Sequence, residues 1–297
     1  MSSSRKSLTF LIASCLLGHP AFAKDATKAT GTQIIEFKPT ASSAKIYEGM
    51  LANKKILMSL SETSVEYTGG YAYISPSQHS DSLRWIDLDG KRTSNGTAII
   101  TEKIGEKTTG KFKGNFSGLS FSGVWASPTG KNYEFFLQEK IKAAPRFLAE
   151  VGGSPDDQHV QKIVVYDGQK LLQSIPVNME ISNAATDLEY QLSDYNFDGY
   201  PDFRLTSGDS KQIYLLYSAE TKSFVIAPTS LQKIMVTGVK FSTNEIYEEW
   251  SRSGYNGMNI YKFTGGKYCL IEQNSVSPSE KSISKKYPIS QCKSKTD

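Results

Sequence analysis

From residue 44 to residue 140, short strand-like segments succeed one another every 10 to 15 residues, and no apolar repeat of helical period interrupts them. Ile46–Met50, Lys55–Leu60, Gly70–Tyr73, Leu83–Ile86, Gly96–Ile100, Gly110–Gly114, Gly123–Trp125 and Tyr133–Leu137 carry the β-branched and aromatic residues. Thr68-Gly-Gly70, Asp89-Gly90, Ser94-Asn-Gly96 and Pro128-Thr-Gly130 supply turn chemistry between them. Connections this short join antiparallel neighbours, because a parallel crossover needs a dozen residues or more. The first half therefore reads as an antiparallel meander that curls into a small barrel or clam over 44–140. Trp85, Phe112, Phe116, Trp125 and Phe135 sit at strand spacing, so they read as core and cross-strand pairs rather than as a ligand mouth.

Residues 141–158, with two prolines and Gly152-Gly153, read as a linker to a second half, 159–297. That half is again almost all β. Lys162–Tyr166 and Lys170–Gln173 flank Asp167-Gly168 as a hairpin, and Gly265-Gly266 marks another turn before Lys267–Ile271. Thr229–Ile234 reads as one short helical turn.

At the other end, Met1–Ala23 has the build of a signal peptide. Arg5 and Lys6 precede an apolar stretch, and Ala21-Phe-Ala23 is a small-x-small cleavage site. Export to the periplasm follows; a lipoprotein box ending at Cys15 is the rival processing route. Residues 24–43, small and polar, read as a flexible leader.

The densest chemistry lies in Asp194-Tyr-Asn-Phe-Asp-Gly-Tyr-Pro-Asp202. Asp194, Asn196 and Asp198 occupy positions 1, 3 and 5 of a calcium-type loop, with Gly199 at 6, the carbonyl of Tyr200 at 7 and Asp202 at 9. A calcium ion takes about six to eight oxygens at about 2.3–2.6 Å, and alternate residues of a tight turn present them to one side. Position 12 is Leu205 rather than a bidentate Glu, and the loop runs into Phe203-Arg-Leu-Thr206, so the site is expected at a strand turn rather than between helices. The competing reading is a solvated acidic turn, since Asp, Asn, Gly and Pro are ordinary turn residues.

Without Arg5 and Lys6 the chain has 32 of its 34 basic residues against 30 acidic ones, too balanced for a dedicated nucleic-acid surface. Cys269 and Cys292 remain after processing and are expected to pair. Catalysis finds little support: His79 and His159 fall in different halves, and neither a nucleophile elbow nor a phosphate loop occurs. The chain is read as a non-enzyme.

The aspartate loop, followed in order by Tyr214-Leu-Leu-Tyr217, Thr221-Lys-Ser-Phe224, Trp250-Ser-Arg-Ser253 and Tyr261-Lys-Phe263, resembles the periplasmic calcium-binding immunity proteins of the Xanthomonas type, which act as lysozyme inhibitors. The resemblance covers about residues 160–273. It implies a β-propeller-like domain around the loop and calcium held by Asp194, Asn196, Asp198, Tyr200 and Asp202. It also implies a lysozyme-like peptidoglycan hydrolase as protein partner. Trp250, Arg252 and Tyr255 form an aromatic and basic stretch suited to an interface, against a plain reading of Trp250 as core and Arg252 as a solvated charge. A calcium-stabilised envelope adhesion or binding module without inhibitory activity is the alternative function.

Overall fold

The computed structural model describes residues 32–40, 43–75, 83–140, 145–154, 157–181, 188–207, 211–279 and 281–292. The expected signal peptide, Cys15 and His79 lie outside the described residues. Two short strands come first, β1 (Gln33–Glu36) and β2 (Lys38–Pro39). Eight more follow: β3 (Ala44–Leu51), β4 (Lys54–Glu62), β5 (Glu66–Tyr73), β6 (Trp85–Arg92), β7 (Ala98–Ile104), β8 (Lys107–Ser117), β9 (Ser120–Ala126) and β10 (Asn132–Glu139). They form a closed barrel in which β10 pairs antiparallel with β3, from Phe135 opposite Leu51 to Glu139 opposite Tyr47. Each of the eight strands matches one expected segment, and closure resolves the choice between barrel and clam.

Burial on both sides explains the apolar run of β4. Ile56, Met58 and Leu60 point into the barrel core with Tyr47, Tyr71, Phe112, Phe121 and Phe135, while Leu57 points outward into a second core. Phe112, Phe116, Trp125 and Phe135 pack in or against the barrel core, as expected, and Trp85 packs on the outer wall. Glu102, inward on β7, accepts hydrogen bonds from the Tyr71 hydroxyl at 2.9 Å, Trp125 Nε1 at 2.8 Å and Thr109 Oγ1 at 2.7 Å, which meets the cost of burying it.

Two expected turns are strand instead. Gly70 lies within β5 and Gly90 within β6. Gly70 has no side chain because a Cβ there would come within 2.5 Å of Phe241 Cβ, so this glycine marks a close approach rather than a turn.

The remaining strands are β11 (Arg146–Ser154), β12 (Asp157–Asp167), β13 (Lys170–Ile181), β14 (Leu188–Ser193), β15 (Asp202–Ser207), β16 (Lys211–Ser218), β17 (Ser223–Ile226), β18 (Gly238–Lys240), β19 (Glu245–Arg252), β20 (Tyr255–Thr264), β21 (Lys267–Val276) and β22 (Ser282–Lys286), with an α-helical turn, α1 (Thr229–Gln232), and 3-10 turns at Phe241–Thr243 and Ile289–Gln291. They build three sheets, ordered β1-β11-β12-β13, β17-β16-β15-β14-β2 and β18-β19-β20-β21-β22. The hairpins at Asp167-Gly168 and Gly265-Gly266 are present, with positive φ at Gly168, Gly265 and Gly266. Much of the stretch expected as a linker is strand β11, and residues 31–297 form one compact unit. Cys269 and Cys292 are disulfide-bonded with Cα atoms 5.1 Å apart across 23 positions, a closure worth about 3 kcal/mol.

The described part of the segment expected as a leader, residues 32–40 and 43, also departs from expectation. β1 pairs with β11 in one sheet and β2 runs parallel to β14 in the next, with Phe37 between them donating its N–H to the Phe147 carbonyl at 3.1 Å. The Phe37 side chain is buried in the core shared by Phe147, Val165, Phe203, Leu205 and Leu215. Replacing it should leave a cavity. Phe37→Ala is expected to destabilise the protein by about 3–5 kcal/mol in urea unfolding; a change near zero would restore the leader reading.

Candidate functional site

The aspartate loop connects β14 to β15, and Asp202, the first residue of β15, faces Ser193 across the ladder. Two residues turn the chain in the left-handed region, Phe197 at φ 63° and Gly199 at φ 80°. At Gly199 a Cβ would also stand 2.1 Å from Leu57 Cδ2 on the barrel wall. Both conformation and space therefore require glycine.

Asp194 and Asp202 have no exposed surface. Asp194 accepts the N–H groups of Asp198 at 3.0 Å and Gly199 at 2.8 Å, one on each carboxylate oxygen. Asp202 Oδ2 accepts from Tyr195 N at 2.8 Å and Asn196 N at 3.3 Å, and its Oδ1 from Tyr217 N at 2.9 Å. Asp198 Oδ1 accepts the Tyr200 N–H at 2.9 Å, and Asn196 joins its Oδ2 through Nδ2 at 3.0 Å. Tyr200 is half-buried beneath Lys140, whose Nζ lies 3.6 Å from the ring centroid.

These contacts are all N–H donors, the set that suits an ionised carboxylate. No ion pair among the described residues reaches Asp194 or Asp202. Burial, then the charge of Asp198, pushes the Asp194 carboxyl well above its ordinary range, against the pull of the backbone N–H groups. Burial, then the charges of Asp194 and Asp198, does the same to Asp202. Two oppositely directed demands thus meet in one loop: the donors favour the charged form and the surroundings oppose it.

Among the described residues no group of three or more His, Cys, Asp or Glu side chains is arranged to hold a metal. Two of the expected donors, the Asn196 amide and the Tyr200 carbonyl, belong to neither carboxylate nor imidazole chemistry. Leu205, at position 12, is buried core and supplies no ligand.

Residues far away in sequence hold the loop. Trp85 Nε1 on the barrel wall donates to the Phe197 carbonyl at 3.2 Å, and the buried Tyr268 hydroxyl of β21 donates to the Tyr195 carbonyl at 3.1 Å. Phe197 packs near Phe241 and Phe263. Nothing local in the sequence announces these partners, since their role lies in long-range pairing.

Trp250, Arg252 and Tyr255 stand together at the free end of the β19–β20 hairpin, Arg252 opposite Tyr255 and Trp250 opposite Gly257. Trp250 is half-buried, lying over Gly257 and donating Nε1 to Asn259 Oδ1 at 3.3 Å, whereas Arg252 and Tyr255 are exposed. The ring lines a groove of about 800 Å³ with Met258, Val276 and Ile283, three residues that sequence reading did not single out. Their spacing across three strands becomes visible only once the register is known.

The raised carboxyls give a pH dependence. A group whose acidity is weaker in the folded state adds stability that is complete below its ordinary value of 3.8 and is lost as pH rises through the folded value. In chelator, melting temperature is therefore expected to fall on going from pH 4 towards neutrality, by about 2–4 °C per kcal/mol lost. A rising profile across that interval would contradict the electrostatic account. No protein-family model, curated protein or solved structure matches the chain.

Proposed function

We propose that the chain is an exported calcium-binding protein, without catalytic activity of its own, that inhibits a lysozyme-like peptidoglycan hydrolase in the periplasm by binding it. The observation that carries the calcium reading is the pair of wholly buried carboxylates, Asp194 and Asp202, served by N–H donors and joined by no cationic side chain among the described residues. A divalent cation would supply the missing positive charge, and each carboxylate keeps lone-pair capacity beyond its N–H contacts, Asp202 on Oδ1. Asp194, Asn196, Asp198, the Tyr200 carbonyl and Asp202 would hold it. Its chemistry is structural: it orders the loop between β14 and β15.

The free end of the β19–β20 hairpin supports a protein-binding role, because the half-buried Trp250 lines the groove, Arg252 and Tyr255 stand exposed at the hairpin tip, and these are side-chain types that anchor interfaces. The identity of the partner as a hydrolase rests on the family resemblance of residues 160–273. So does a propeller-like arrangement, for which the support is three sheets of blade size, antiparallel apart from the β14–β2 pair. The disulfide is compatible with an oxidising compartment.

Two measurements test the reading separately. Calcium at about one hundred times its dissociation constant should stabilise the protein by about 2.7 kcal/mol, and Asp198→Ala should remove most of that gain; an unchanged calcium response in the variant would dismiss the site. Peptidoglycan turbidity should be protected stoichiometrically against at least one lysozyme-type hydrolase, with protection abolished by chelator. Calcium binding without protection, on a panel including any hydrolase encoded beside this protein, would favour the envelope-module alternative.

A further inference from the structure

We infer that the free edge of β22 and the groove beside it form a docking site for an extended, acidic segment of a partner protein, which adds to the sheet as a further strand. The direction of the backbone groups is fixed by two hydrogen bonds at the strand's ends: Ser277 N–H donates to the Lys281 carbonyl at 3.1 Å and Tyr287 N–H to the Ile271 carbonyl at 2.8 Å. The register between them is unbroken, from Ser282 opposite Val276 to Lys286 opposite Glu272. Alternate residues of an antiparallel strand point their N–H and C=O groups to opposite sides. Lys281, Ile283, Lys285 and Tyr287 therefore face β21, and Ser282, Ser284 and Lys286 turn theirs outward. Among the described residues no strand pairs with that outer side.

A row of unpaired amides and carbonyls is complementary to another extended chain. Side chains beside it suit the same occupant. Trp250, Gly257, Ser275 and Ile283 oppose one another across four strands, so two large apolar groups flank a floor of two small ones. Ile283 is 54 % exposed. An added strand would present every second side chain to this row.

Charge decides between occupants. From Lys281 to Cys292 the chain carries three lysines and no acidic residue, the adjoining Glu280 offsets only one of them, and Glu249 lines the groove on the far side, so the positive charge lies along the edge strand. Lys286 reaches Glu272 at 3.8 Å while remaining mostly exposed, and Lys285 lies 5.0 Å from the Tyr287 ring. A second copy of this edge would bring lysines against lysines, which edge strands use to discourage self-pairing. An acidic strand meets them with opposite charge. The inference extends the binding role proposed for this hairpin and does not depend on the partner being a hydrolase.

The test is selection of a displayed random dodecapeptide library on the calcium-loaded protein, with Ser284→Pro as control. Proline at 284 removes an N–H that faces outward, so the ladder with β21 keeps its bonds while strand addition is blocked. Enriched peptides are expected to be acidic with alternating apolar residues. They should bind about tenfold or more weaker to Ser284→Pro and to Trp250→Ala, and more weakly as salt rises. Methylating alternate backbone nitrogens of the best peptide should abolish binding, a readout that does not rely on any variant of the protein folding. Equal binding of the methylated peptide, or enrichment of peptides without acidic residues, would overturn the inference. So would a wild-type dimer in sedimentation that Ser284→Pro converts to monomer, since the edge would then serve a second copy. Failure of hydrolase protection would leave all of these outcomes readable.

Discussion

Burying two carboxylates, Asp194 and Asp202, with no cationic side chain beside them among the described residues is the constraint on which the centre of this structure depends. Removing a charge from water costs several kcal/mol unless something of opposite sign or a full set of donors replaces the solvent. Here the donors are backbone N–H groups of the loop itself and of Tyr217 on β16. They can converge only while the loop keeps its two left-handed residues, Phe197 and Gly199. That backbone is in turn gripped from outside, by Trp85 on the barrel and Tyr268 on β21. The loop is therefore the joint at which the barrel, the β14–β17 sheet and the β18–β22 sheet meet. Its aromatic residues Tyr195 and Phe197 belong to one buried cluster with Leu57, Tyr214, Leu231, Ile246 and Tyr261 from all of those parts.

Strand edges explain much of the remaining architecture. Closure of β10 on β3 leaves the barrel none. Each of the two sheets that follow is open at both sides, and on one side the chain lays down a short strand before it enters the barrel, β1 beside β11 in the first and β2 beside β14 in the second. Phe37 makes the crossing point part of their shared core. The last sheet has no such cover on β22 among the described residues, and its edge is lined by lysines instead.

Local signals carried the sequence reading where pairing is local. Asp167-Gly168 and Gly265-Gly266 sit in left-handed turns between strands that pair with each other, and the eight barrel strands follow in chain order, each hairpinned to the next. The reading failed where a residue answers to something distant. Gly70 and Gly90 carry turn chemistry locally but lie in strands, Gly70 because Phe241 of another module occupies the space its side chain would need. Residues 33–39 look like leader because strands of four and two residues have no useful period, and their worth comes from partners more than 100 positions away. In the candidate site the spacing of Asp194, Asn196, Asp198 and Asp202 was legible. Their burial was not, because Trp85, Leu57 and Tyr268 produce it.

This division also says what kind of work the loop can do. A site whose first and last carboxylates are sealed in the core offers a bound cation little access to a substrate, whereas it offers the surrounding strands a fixed anchor. β19 and β20 run without a break from Ile246 and Tyr261, in the cluster around the loop, out to Arg252 and Tyr255 at the exposed tip. Paired strands of eight and ten residues are stiff on that scale. The orientation of the Trp250 groove relative to the barrel is consequently set at the base of the hairpin, where the Tyr268 hydroxyl meets the loop carbonyl. On the proposed calcium reading, a cation that orders the loop would act on partner binding by fixing that base, without contact with the partner.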